Sequence, residues 1–93
     1  MQQLSIDDFT PWLNETCEVV FADGQLPMTL VTAEALEGGV RDGGSFRLEF
    51  LGPASPILAQ ATLAVRRPDF DHEIFMVPIG SDANGTRYEA VFY

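Results

Sequence analysis

The sequence predicts a mainly β protein: a small antiparallel barrel or compact sandwich of about six strands with one short N-terminal helix. Three observations carry this expectation. Apolar residues recur in short runs with period two, which puts every second side chain on one face of a strand. Turn-forming clusters of Gly, Pro, Asn and Asp separate the runs at fairly regular spacing. Residues 5–13 alone show the three- and four-residue apolar spacing of a helix. With 93 residues there is room for one core, so residues 1–93 form a single domain.

In the helix candidate, Ser5 is placed to cap, and Asp8 follows three residues later as the acidic half of a capping box. Ile6, Phe9 and Leu13 share a face and Trp12 extends it, while Pro11 limits the helix to a turn or two. The segment is suited to plug one end of a β structure. Residues 16–22 form the first strand, with Cys17, Val19 and Phe21 on one face. Asp23-Gly24 signals a turn. Residues 26–36 form a long second strand, where Pro27 requires an edge position or a late start to the pairing. Its end, from Thr32, has a composition equally suited to helix.

Residues 37–44 hold four glycines and read as a loop. A phosphate-binding role is not expected, because the loop leads into a strand and lacks Gly-Lys-Ser/Thr. Residues 46–51 alternate cleanly, with Phe46, Leu48 and Phe50 inward and Arg47 and Glu49 outward. Gly52-Pro53-Ala54-Ser55-Pro56 opens a loop. Residues 60–67 place Ala61, Leu63 and Val65 on one face.

The most apolar stretch is residues 73–80. Phe75, Val77 and Ile79 fall on one face and Ile74 and Met76 on the other, so this strand is expected to be the most buried. Pro78 interrupts its pairing near the end. The stretch forms a hairpin with residues 87–93, in which Tyr88, Ala90 and Phe92 share a face.

Four features occur in order: Leu4 with Phe9, the run Phe46-Arg47-Leu48-Glu49-Phe50-Leu51-Gly52-Pro53, the run Phe75-Met76-Val77-Pro78-Ile79-Gly80, and Tyr88-Glu89-Ala90-Val91-Phe92. Together they resemble a family of small single-domain bacterial β-proteins of uncharacterised function. The resemblance covers nearly the whole chain and implies a compact bacterial β domain. It brings no catalytic residue with it. Members of that family usually carry Asn after the last Phe, where this chain has Tyr93.

Fourteen acidic residues against five arginines give a net charge of −9. That balance opposes nucleic-acid phosphate and anionic lipid, so neither nucleic acid nor membrane is an expected partner. The first residues have no basic segment followed by an apolar one, so a cytoplasmic location is expected. The single cysteine, Cys17, can form no internal disulfide and is expected to be a small core residue.

The densest chemical cluster is Asp69-Phe70-Asp71-His72-Glu73, with the only histidine and three carboxylates. One histidine is too few nitrogen ligands for a zinc centre, and strand alternation turns His72 away from Asp71 and Glu73. A solvated turn explains the cluster better. Asp82-Ala83-Asn84-Gly85 opens like a calcium loop but lacks its Glu at the twelfth position, and Asn-Gly between two strands is a hairpin turn. Ser5, Ser45, Ser55 and Ser81 lack a nucleophile-elbow context, and each would have to recruit His72. A Cys17–His72 dyad is the remaining arrangement on paper. Arg66-Arg67 reads as a surface pair at a strand end.

No catalytic, cofactor or metal residue is assigned. The expectation is a non-enzymatic protein-interaction or assembly module whose partner is a protein. Exposed strand edges, Tyr93 and residues 38–44 are its suggested contacts, and homo-oligomerisation is one form of it. The alternatives are a β-barrel that binds a small ligand or divalent metal at its mouth, and an enzyme with His72 as base.

Overall fold

In the computed structural model, residues 4–36 and 44–92 are described. Among them, six antiparallel strands close into a barrel: β1 (Thr16–Phe21), β2 (Gly24–Leu36), β3 (Ser45–Gly52), β4 (Ala61–Arg67), β5 (Phe70–Asp82) and β6 (Gly85–Phe92). The order around the ring is β1-β2-β3-β6-β5-β4. Two three-stranded meanders therefore meet, β3 against β6 and β1 against β4. This decides between the barrel and the sandwich. Ring closure also pairs the outer strands with each other, so the strand edges expected from the sequence persist only in part, as at residues 24–28 of β2 and 70–76 of β5, which pair on one side.

Closure depends on the two long middle strands, which change partners partway along. β2 pairs with β1 through Thr29 and with β3 from Thr29 onward, with a register shift between Leu30 and Thr32. β5 pairs with β4 through Met76 and with β6 from Val77, with a shift between Pro78 and Gly80. Each shift sits near the changeover, where an extra residue bends and twists the strand. Pro78, which has no N–H to give, lies at the second. Pro27 lies where β2 has not yet met β3, the late start that its missing donor requires. β2 runs as a strand to Leu36, so cross-strand pairing with β3 overrides the helical composition of its end.

The interior is filled by alternate residues, including Val19, Leu30, Phe46, Leu48, Phe50, Val65, Ile74, Met76, Tyr88 and Ala90, each at most 2% exposed. The two hairpin turns signalled by Asp-Gly and Asn-Gly fall one residue earlier than the sequence signal. Phe21 pairs with Gly24 across Ala22-Asp23, and Asp82 pairs with Gly85 across Ala83-Asn84. The glycines are the first strand residues, at φ +152° and +137°.

The N-terminal helix is two 3-10 turns, Ile6–Asp8 and Thr10–Trp12. Three-residue hydrogen bonds hold them, with the N–H groups of Phe9 and Trp12 donating to the Ile6 and Phe9 carbonyls at 3.0 Å each. Pro11 lacks an N–H and its ring crowds the preceding turn, which prevents an α-helix from continuing. The Ser5 N–H donates to Asp8 Oδ2 at 2.8 Å, the backbone half of the expected capping box. Asn14, at φ +68°, turns the chain into β1, and its N–H donates to Leu30 O at 2.6 Å. Phe9 and Trp12 plug the barrel end where β3 starts and β6 finishes. At the other end the Leu58 N–H donates to Tyr88 Oη at 2.9 Å and fixes the β3–β4 connection over the interior.

The expectation that residues 73–80 are buried on both faces is corrected. Ile74 and Met76 point inward, but Phe75 is 52% and Ile79 47% exposed. A six-stranded barrel has one interior, so a strand in it can bury only one face. The outer apolar face of β5 is covered by nothing among the described residues.

Candidate functional site

Three regions of the surface depart from a plain charged exterior. The first is the outer face of the β5–β6 hairpin. Phe75, Val77 and Ile79 line it from β5, and β6 adds Val91, 38% exposed. Val77 is opposite Glu89, and Val91 is opposite Arg47 of β3. The patch is thus bounded on the β3 side by charge. Arg47 Nε donates to Glu89 Oε2 at 2.9 Å, and Arg47 Nη2 lies 3.5 Å from Glu49 Oε1. Partial burial pulls the Arg47 pKa down. The hydrogen bond that Arg47 donates to Glu89 and the charges of Glu49, Glu89 and Glu34 outweigh that and hold it above its ordinary value. Asp71 and Glu73, both exposed, continue the outer face of β5.

The second region is a groove of about 370 Å³ between the N-terminal turns and the β4–β5 hairpin. Trp12, Arg67, Phe70 and His72 form its walls, with Asp8 and Asp69 at its margin. Arg67 is not the simple surface residue expected from the sequence. Its guanidinium carbon sits 5.0 Å from the Trp12 ring centre. Its Nη1 donates to Thr16 O at 3.0 Å and its Nη2 to Glu15 Oε1 at 2.6 Å. The β1–β4 seam pairs only Glu18–Arg66, Val19–Val65 and Val20–Ala64. Arg67 therefore ties β4 to β1 just past the last backbone pair. Arg66 keeps the expected surface role, 3.6 Å from Asp71.

The third region is a shallow depression of about 650 Å³ over that seam, lined by Glu15, Glu18, Gln25, Pro27, Arg66 and Pro68 among others.

The structure separates most of the sequence candidates. His72 is half-buried on the inner side of β5, with its ring 4.7 Å from that of Phe70, whereas Asp71 and Glu73 face outward. The cluster at 69–73 therefore divides between the groove and the outer wall. Asp82 Oδ1 accepts from the Asn84 N–H at 2.8 Å, which makes the 82–85 segment a self-capped turn. Ser81 Oγ and Thr86 Oγ1 share a hydrogen bond at 3.1 Å. Ser5 leads into the first 3-10 turn, and Ser55 precedes a cis proline in an exposed loop. Ser45 is buried at the start of β3. Of the contacts that the sequence suggested, residues 38–44 and Tyr93, only Gly44 is among the described residues.

Cys17 and His72 do not form a dyad, since they lie on β1 and β5 with β4 between them. Cys17 is 4% exposed. Burial pushes its thiol from the ordinary 9.0 up to about 11, with the Arg67 charge opposing more weakly. This sets a pH dependence. Below pH 9 the thiol is protonated in both states and contributes no slope. Between pH 9 and 11 the unfolded chain releases the proton while the folded chain keeps it, so stability falls. The expected loss is about 2 kcal/mol across that window. Urea titrations at several alkaline pH values should show this decline in the wild type and a shallower one in Cys17→Ala. Parallel curves would refute the assignment.

Neither Trp12 nor Arg67 was singled out for the groove by sequence. Their pairing across 55 positions depends on barrel closure, and the only local hint was the aromatic and charged density near 67–73. Among the described residues, no helix is long and apolar enough to cross a membrane. No curated protein and no solved structure matches the chain. A family model described as a domain of unknown function, DUF6916, matches residues 4–92. The matched span takes in all six strands and both N-terminal turns, and the chain belongs to the DUF6916 family.

Proposed function

We propose that this protein is a non-enzymatic interaction module of the cytoplasm, which docks a partner protein on the outer face of β5 and β6. The observation that carries the reading is the exposure of Phe75 and Ile79 beside Val91 on the wall of a closed barrel. Isolated exposed apolar residues are ordinary, but a contiguous group on one sheet face marks an interaction surface. Full burial of a Phe or Ile side chain is worth about 1.5–3 kcal/mol, so two half-exposed ones can anchor a modest interface.

The occupant is a protein with an apolar centre and a basic rim. The patch is flanked by the exposed Asp71 and Glu73, by Glu49 and Glu89 paired with Arg47, and by the exposed Arg87 opposite Gly80, so carboxylates outnumber guanidinium groups around it, and the chain carries −9 overall. That charge favours a cationic partner and opposes a second copy, which would bring another nine negative charges. Two features support the non-enzymatic part of the reading. A thiol pushed up to about 11 is the reverse of an activated nucleophile. His72 packs on Phe70 and faces neither Asp71 nor Glu73.

Sedimentation and native co-purification test this together. The isolated protein should remain monomeric at about 100 μM, a concentration that would populate a micromolar dimer. A Phe75→Asp/Ile79→Asp variant should keep the wild-type melting temperature within a few degrees and lose the co-purifying partner. A stable dimer abolished by the same variant would replace the partner with a second copy. Retention of the partner by the folded variant would overturn the reading.

A further inference from the structure

We propose that the groove between the N-terminal turns and the β4–β5 hairpin binds an organic cation, a guanidinium or ammonium group on a short aliphatic stem. This site is separate from the outer face of β5 and β6 and does not depend on it.

The groove has the size of a small-ligand site, about 370 Å³, and its lining mixes the aromatic rings of Trp12 and Phe70 with four ionisable residues, Asp8, Arg67, Asp69 and His72. The sign of the ligand follows from which charges are already used. Arg67, the groove's one arginine, is spent on Glu15, on Thr16 O and on the Trp12 face. An anion entering the groove would have to compete with Glu15 at 2.6 Å. The carboxylates are differently placed. Asp8 uses Oδ2 for the Ser5 N–H, which leaves its other oxygen, and Asp69 stands exposed in the β4–β5 turn. Phe70 and His72, both half-buried, present ring surface beside them. Carboxylates with adjacent aromatic faces suit a cation with an apolar stem, through charge and ring quadrupole together. Pro11, Pro68 and Leu4 offer apolar contact for the stem. The cation can come from a free amine or from the Arg or Lys side chain of a peptide.

Trp12 is the chain's single tryptophan, and its indole N–H donates to Asp8 O at 2.9 Å within the groove wall. Its fluorescence and indole N–H resonance therefore report on this groove, and the Asp8 and Asp69 variants separate it from the seam depression that shares Arg67. Agmatine and N-acetyl-arginine amide should each shift both signals saturably below about 10 mM, with dissociation constants in the millimolar range or tighter. Pentanol and pentanoate should not. Agmatine binding more tightly identifies a free amine as the ligand; N-acetyl-arginine amide binding more tightly identifies a side chain. Asp69→Asn, a change in an exposed turn, should weaken the better probe about threefold, and added salt should weaken it further. No saturable shift from either cation would overturn the proposal. So would equal shifts from pentanol, or affinity unchanged in a folded Asp8→Asn/Asp69→Asn double variant.

Discussion

Replacing Phe9 with alanine is expected to lower stability by about 3–5 kcal/mol, the usual cost of removing a fully buried phenyl ring. Phe9 is 0% exposed, although it comes from an irregular segment outside the barrel wall. Its ring centre lies 5.5 Å from Trp12, 5.7 Å from Phe46, 5.3 Å from Phe70 and 5.8 Å from Phe92. Phe46 and Phe92 are themselves stacked at 4.4 Å, so the ring completes a cluster contributed by β3, β5, β6 and the second turn. Tilted and edge-on contacts of this kind add about 0.5–1.5 kcal/mol per pair beyond area burial. For a domain of this size the loss corresponds to a melting temperature lower by roughly 12 °C or more. Thermal unfolding followed by circular dichroism measures it. Phe9→Leu, which keeps most of the volume, should lose less than half as much. A fall under about 5 °C for Phe9→Ala would mean that the N-terminal turns are not the plug of the barrel.

A second large effect is expected from Gly85→Ala, at about 3 kcal/mol or more. Gly85 opens β6 at φ +137°, where a side chain is strained whatever the space around it. A Cβ built there would also press on the carbonyl oxygen of Gly52, a backbone atom at the end of β3 that cannot swing aside. Gly24 is the internal control. It opens β2 with a similar φ of +152°, but a Cβ there meets nothing within 4 Å. Gly24→Ala should therefore show backbone strain alone, about 1–2 kcal/mol. Urea denaturation of the two variants separates strain from collision. Equal losses would place the whole effect in the backbone and remove the role of the β3–β6 contact.

The barrel wall was legible in the sequence because period-two alternation is a local signal. Phe46, Leu48 and Phe50, and Tyr88 and Ala90, point inward as the pattern requires. The plug was also legible, through Ser5, Asp8, Pro11 and the spacing of Ile6 and Phe9. Closure was not, since nothing in β1 or β4 announces that Val19 will pair with Val65. Two misreadings follow from that. Strand edges were expected on the outer strands, where the ring pairs β1 with β4 and β3 with β6. The outer face of β5 was assigned to a core, because alternation shows that Phe75, Val77 and Ile79 share a face but not whether the same chain covers it. An apolar run for burial and one for docking have the same period; only topology separates them. The groove shows the same limit, since Trp12, Arg67 and His72 come together through the fold and carry no shared motif.

The central claim, that the β5–β6 face docks a cationic protein partner, is tested most directly by site-specific photocrosslinking in the native cell. A photoreactive phenylalanine analogue at position 75 samples the patch. The same analogue at Gln25, an exposed residue of β2 across the ring from β5, samples the opposite wall. The account predicts a discrete adduct with a basic protein from position 75, no adduct with it from position 25, and its loss when Ile79→Asp is added. The same adducts from both positions, or none from position 75, would contradict it.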